Sequence, residues 1–282
     1  MRGFIPIVAG IIALIGGAAA QPADDASVCY NEKSAPDAAI EACGRLIASG
    51  RVSGPQLAGT YVWRGNFRAK KGDHDGAIAD FGEAIKIAPD DLLPHQSRAV
   101  ALFQQNNYAG AIADLNEVLR IDPKNIVAYI NRSTASFILG DLEQTIADCD
   151  RVLTLDPNNA YAYNNRGSAW RQKGDLDRAF ADFDQAIRLN AKYARAWYNR
   201  GVAWAHKGDL DHAIADYDSA INFDSHFTAA FTERGLAREQ KGDMEGARTD
   251  FNRAVEGPPK YYDGPAEQQK ARDELARLGA KP

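Results

Sequence analysis

Small, apolar and aromatic side chains return along this chain at a fixed interval of 34 residues, with polar residues between them. In lines begun at Ala58, Leu92, Ile126, Ala160, Ala194 and Thr228, the fourth place holds a ring: Tyr61, His95, Tyr129, Tyr163, Trp197 and Phe231. The eighth place is small (Gly65, Ala99, Ser133, Gly167, Gly201, Gly235), as is the twentieth (Ala77, Ala111, Thr145, Ala179, Ala213, Ala247). The twenty-fourth is occupied by Phe81, Leu115, Cys149, Phe183, Tyr217 and Phe251, residues that fill the space left where two helices approach over small side chains. Each line therefore predicts a helix A over places 1–14 and a helix B over places 17–30. Between them stands Gly72, Gly140, Gly174, Gly208 or Gly242, a helix-ending residue that takes positive φ, followed by Asp73, Asp141, Asp175, Asp209 or Asp243 to cap helix B. The second line uses Asn106 and Asn107, which do both jobs at slight cost. The expected fold class is all-α, a solenoid of six helix-turn-helix repeats (58–91, 92–125, 126–159, 160–193, 194–227 and 228–261), each burying its apolar face against its neighbours.

The flanks read differently. Residues 1–20 carry Arg2, an apolar run from Phe4 to Ile15 and a small-residue end with Ala18 and Ala20, which predicts a signal peptide cleaved before Gln21. An uncleaved anchor is the competing reading. Residues 21–57 form an N-terminal cap, in which Asp37 to Ile47 echoes a helix B as a degenerate half-repeat. Cys29 and Cys43 lie close together there, and in an oxidising compartment they are expected to form a disulfide worth about 3 kcal/mol. Cys149 falls at a core place and is expected to be inert. Residues 262–282 predict a C-terminal capping helix, with Ala271, Leu275 and Leu278 on one stripe.

The pattern resembles the tetratricopeptide repeat (TPR) family, whose hallmark is an aromatic at place 4, small residues at 8, 20 and 27, a large residue at 24 and often proline at 32. Pro89, Pro123, Pro157 and Pro259 stand at 32, whereas Ala191 and Ser225 replace it in the fourth and fifth repeats. A further departure is charged. Place 7, usually apolar in the family, is Arg64, Arg98, Arg132, Arg166, Arg200 and Arg234, and place 23 is Asp80, Asp114, Asp148, Asp182, Asp216 and Asp250. On a helical wheel place 7 faces the B-helix layer, where an unpaired Arg would be costly, so a structural ladder of Arg–Asp ion pairs is expected.

Lys plus Arg number 33 and Asp plus Glu 38, a formal net charge of -5, which gives no electrostatic reason to expect nucleic acid. The five His residues are scattered, and no phosphate-binding, metalloprotease or nucleophile-elbow motif is present; no enzyme, metal or cofactor is expected. Binding is what remains. The family lines its concave groove with helix A places 2, 5, 6, 9, 12 and 13, so the resemblance implies a peptide-binding groove that includes Trp63, Asn131, Tyr161, Asn165, Arg195, Tyr198 and Asn199. Rings and amides together suit an unfolded peptide segment. The family's carboxylate clamp is not matched, since Val62, Asn66, Ser97, Val127 and Asn131 occupy its places. Asn131, Asn165 and Asn199, all at place 6, resemble instead the asparagine ladder in the TPR superhelix of O-linked N-acetylglucosamine transferase, which grips peptide backbone. The expected function is a non-enzymatic scaffold for an unidentified protein or peptide. The alternatives are a periplasmic chaperone-like or envelope-assembly factor, and a carbohydrate or cell-wall binding module stacking sugars on Trp63, Tyr161 and Tyr198. Export is expected, to the bacterial periplasm by resemblance or secreted, with no stable membrane insertion after cleavage and a monomer by default.

Overall fold

The computed structural model describes residues 24–258 and 264–279; the predicted signal peptide and its cleavage point lie outside these. The chain divides after Pro89 into two compact units, and among the described residues both are built from helices alone. The first holds α1 (Asp25–Cys29), α2 (Pro36–Ala48), α3 (Gly54–Lys70) and α4 (His74–Ile87). In the second, the hairpins α5 (Leu92–Gln104) with α6 (Tyr108–Ile121), α7 (Ile126–Ile138) with α8 (Leu142–Leu155), α9 (Ala160–Gln172) with α10 (Leu176–Leu189), α11 (Ala194–Lys207) with α12 (Leu210–Phe223), and α13 (Thr228–Gln240) with α14 (Met244–Glu256) stack as a solenoid. The last helix, α15 (Gly264–Gly279), closes the stack.

Each hairpin turns on a left-handed residue. Gly72, Gly140, Gly174, Gly208 and Gly242 have φ between 81° and 86°, and Asn106 takes the same role in the second repeat at φ 58°. The residue after it caps the B helix: Asp73, Asn107, Asp141, Asp175, Asp209 and Asp243 each accept a hydrogen bond from the backbone N–H three residues on. Close approach of the two helices is equally specific. A Cβ at Gly65, Gly167, Gly201 or Gly235 would stand 2.6–2.8 Å from a ring carbon of Phe81, Phe183, Tyr217 or Phe251. Where the eighth place carries Ala99 or Ser133, the facing residue is the smaller Leu115 or Cys149.

In the first unit, a disulfide joins Cys29 of α1 to Cys43 of α2, with Cα atoms 4.9 Å apart. Both sulfurs are buried with Ala42 and Leu46 against Trp63, and the Tyr30 hydroxyl meets Thr60 Oγ1 at 2.7 Å, so the short α1 is tied to α3 as well. In the second unit, α15 covers Phe231, Phe251 and Ala254 with Ala271 and Leu278. Gln268 on α15 donates to the carbonyls of Val255 (2.8 Å) and Gly257 (2.9 Å), satisfying the C-terminal end of α14. The A helices α7, α9, α11 and α13 run side by side.

Candidate functional site

Two constellations compete for a functional role, and their geometry separates them. The first is the charged stripe. Each place-7 arginine donates Nε and Nη2 to the two carboxylate oxygens of the place-23 aspartate of its own repeat, at 2.5–3.0 Å. The carboxylates are buried, and several accept more: Asp80 from Arg68 (2.8 Å), Asp148 from Gln144 (2.9 Å) and Asp250 from Arg238 (2.8 Å), while His95 Nδ1 lies 3.0 Å from Asp114. The outer edge of the guanidinium is used too. Nη1 of Arg132, Arg166, Arg200 and Arg234 donates to Asn116, Asp150, Asp184 and Asp218, at place 25 of the preceding repeat, at 2.5–2.7 Å. Beneath five of the arginines lies the place-4 ring of Tyr61, Tyr129, Tyr163, Trp197 or Phe231, 4.9–5.6 Å from the guanidinium carbon. Hydrogen bonding to Asp182 and Asp216 holds Arg166 and Arg200 above the ordinary arginine value against the opposing effect of burial. From Arg132 to Arg234, every guanidinium edge is spoken for; these groups join helices and repeats rather than await an anion.

The second constellation is a cleft of about 290 Å³ over α7, α9 and α11. Ile130, Thr134 and Phe137 come from α7, Tyr161, Asn164, Asn165, Ser168 and Arg171 from α9, and Arg195, Tyr198 and Asn199 from α11, with Tyr193 just before it. A directed chain of hydrogen bonds runs across its floor. Asn199 Nδ2 donates to Asn164 Oδ1 (2.8 Å), Asn164 Nδ2 to Asn165 Oδ1 (3.3 Å), and Asn165 Nδ2 to the hydroxyls of Ser133 and Thr134 (3.2 Å each). Both hydroxyls then donate to the Ile130 carbonyl, at 2.7 and 2.9 Å. An amide both gives and receives, which lets three helices be linked without leaving a buried donor unmet.

Of the residues singled out from the sequence, Tyr161, Asn165, Arg195, Tyr198 and Asn199 line this cleft. Asn131 lines an adjoining one of about 300 Å³ with Val100 and Phe103, and Thr134 borders both. Trp63 belongs to the first unit, where its ring lies 6.0 Å from Phe67 and 6.4 Å from Tyr30 against the disulfide cluster. Place 5 puts Asn164 among the expected groove residues, whereas Tyr193 and Phe227 escaped sequence reasoning. Asn164 is the buried hinge of the amide chain. Tyr193 and Phe227 stand at place 34, where Asp91, Asn125 and Asn159 instead cap the next helix by accepting a backbone N–H. Before α11 and α13 the cap is exchanged for a ring: Tyr193 lies 4.9 Å from Tyr161, and Phe227 lies 4.9 Å from Tyr198 and 5.6 Å beneath Arg195. The signal was present, since these are also the two repeats that lose the proline at place 32.

Comparison with known proteins agrees with this architecture. Family models described as "Tetratricopeptide repeat" match residues 68–132, 126–159 and 194–227, and one described as "TPR repeat" matches 167–206. No curated protein matches the chain. Among solved structures, a tetratricopeptide repeat protein from Parabacteroides merdae is similar with a TM-score of 0.73 at 16% identity, over 84% of this chain and 92% of that one. PilF of Pseudomonas aeruginosa is similar with a TM-score of 0.58 at 17% identity, over 77% and 97% of the two chains. A thermophilic TPR protein from Thermus thermophilus gives 0.57 at 20% identity, over 64% and 99%. At these identities the likeness is one of fold.

Proposed function

Because the chain belongs to the tetratricopeptide repeat family, we propose that it is a non-enzymatic protein-interaction scaffold holding an extended segment of a partner protein in the cleft over α7, α9 and α11. The observation that carries this reading is the convergence, on one cleft, of the half-exposed Tyr161, the Tyr193 ring, Arg171, Arg195 and an amide chain that fixes three helices relative to one another. Preorganised walls lower the entropic cost of capturing a flexible segment. In this reading Asn165 and Asn199 shape the cleft, since their amides already serve Asn164, Ser133 and Thr134, and Asn131 is the place-6 amide left to meet peptide backbone. The sugar-stacking alternative has less support, because Trp63 is engaged by Phe67 and Tyr30.

The Cys29–Cys43 disulfide supports folding in an oxidising compartment, and the bacterial periplasm is our reading of it. Among the described residues no helix is long and apolar enough to cross a membrane. A photoreactive side chain at Tyr161, compared with one at Met244 on the exposed face of α14, tests the site in a native envelope extract. One or a few products specific to position 161 are expected. Equal products at both positions would remove the cleft from consideration, and a broad smear from position 161 alone would favour client holding over a dedicated partner.

A further inference from the structure

The helices α5 and α7 each carry one guanidinium, Arg98 and Arg132, and both are turned to the B layer, where Asp114 and Asp148 hold them. Every groove place of these two helices, from Leu93 to Ile138, is uncharged. Leu93, Val100 and Val127 among them are 51%, 51% and 61% exposed; such side chains are ordinary when scattered, but these share one face with a cleft. That cleft, of about 300 Å³, takes its walls from Val100 and Phe103 and has Leu115 in its lining, with no charged residue. Its origin lies in the repeat register. Leu115 stands at place 24, facing Ala99, where four other repeats set a ring under glycine. A branched four-carbon side chain fills less of the hairpin than a ring does, so a core residue comes to line a surface cleft. Tyr108 packs edge-on to Phe103, with ring centroids 5.0 Å apart, which steadies that wall. The Asn131 amide also lines the cleft, and its side chain makes no hydrogen bond among the described residues. An apolar cavity of about 150 Å³ takes a benzene ring, so a cleft of about 300 Å³ admits a whole phenylalanine side chain.

We propose that this cleft is a selectivity pocket: it takes one bulky apolar side chain, Phe or Leu, from an extended and locally uncharged segment of the partner, while Asn131 hydrogen-bonds the backbone of that residue. This rests on the groove reading above and specifies its ligand. A carboxylate or ammonium in the same place would lose its water and meet no counter-charge, which sets the selection against charged residues. An amide gives and receives together, so Asn131 serves the peptide group of any residue and leaves the choice of side chain to the pocket. Thr134 lines this cleft and the one over α7, α9 and α11, so the segment passes from the pocket into that cleft along the A helices.

The test titrates the purified protein with ten-residue Ser and Gln peptides, blocked at both ends and identical except for a central Phe, Leu, Ala or Glu, and follows the methyl resonances of Val100 and Leu115. The Phe and Leu peptides are expected to shift both sets of methyls and to bind at least tenfold more tightly than the Ala and Glu peptides. That preference should be the same at low salt and at 0.5 M, because no ion pair is involved. Ala99→Gly with Leu115→Phe recreates the Gly65 and Phe81 pairing of the first repeat, so it should fold, fill the pocket and reduce the Phe-over-Ala preference to less than twofold. Val100→Asp, at an exposed position, should do the same without touching the core. Asn131→Ala should weaken the Phe and Ala peptides by one common factor and keep the preference. Equal binding of Phe and Ala peptides, binding by none, or a preference that survives both pocket variants would overturn the pocket. The Tyr161 cross-links decide the groove reading separately, so the two can fail apart. A dimer in sedimentation, with the same methyls shifting as protein concentration rises, would overturn the peptide occupant in favour of a second copy of the chain.

Discussion

The Tyr217 ring is fully buried under Gly201, and its hydroxyl has no hydrogen-bond partner among the described residues. A buried, unmet hydroxyl costs about 1–3 kcal/mol, while the ring itself fills the hairpin as Phe183 and Phe251 do. Tyr217→Phe is therefore expected to raise the thermal midpoint, by an amount equivalent to about 1 kcal/mol, and a lower midpoint would show that the hydroxyl is bonded in solution. Cys149 illustrates the opposite use of burial. Desolvation pushes its thiol up to about 12, so at pH 8.5 iodoacetamide should leave it unmodified in the native protein and alkylate it in urea. The sign follows from linkage: the unfolded thiol loses its proton first, so the stability that Cys149 contributes is complete below its ordinary value of 9.0 and drains away as pH rises toward about 12. The inertness of Cys149 follows from its place in the repeat. The orphan hydroxyl does not, because it depends on which atoms of neighbouring repeats come to meet it.

At the level of the hairpin, places 8 and 24 behave as one variable. Glycine faces a six-membered ring in four repeats, alanine faces leucine in the second, and serine faces cysteine in the third. Gly167→Ser should destabilise the fourth hairpin by about 2 kcal/mol, because a Cβ there would stand 2.8 Å from Phe183. Adding Phe183→Cys, which recreates the Ser133–Cys149 pairing, should recover much of the loss in urea denaturation; strictly additive costs would show the two places to be independent. The helices themselves were legible, since a left-handed Gly followed by a capping Asp marks five of the six turns, Asn106 and Asn107 mark the other, and the 34-residue interval sets the rest. Contacts from one repeat to the next were not. Nothing in a helical wheel says that Arg166 also reaches Asp150, that Asn199 spends its amide on Asn164, or that Tyr193 and Phe227 surrender a cap to supply a ring.

For the molecule as a whole, stability in a stacked array is a sum of local terms rather than one cooperative quantity. The disulfide acts locally in this sense, confining α1 to α2 in the first unit. Cys29→Ala with Cys43→Ala should cost about 3 kcal/mol there and raise amide exchange in α1 and α2, while protection in α7 to α14 stays as it was. Uniform loss of protection would instead mean that the whole chain unfolds as one.

The double reach of Arg166, Arg200 and Arg234, to an aspartate of their own hairpin and to the place-25 aspartate of the one before, makes the last three junctions the same electrostatic joint. Excising residues 160–193 would bring Arg200 to Asp150 in place of Asp184, and Asn159 would take over the start of α11, where Tyr193 offers no cap. Such an array can shorten or lengthen by whole modules without leaving a charge unmatched, so its evolution is free to trade reach along a partner against size.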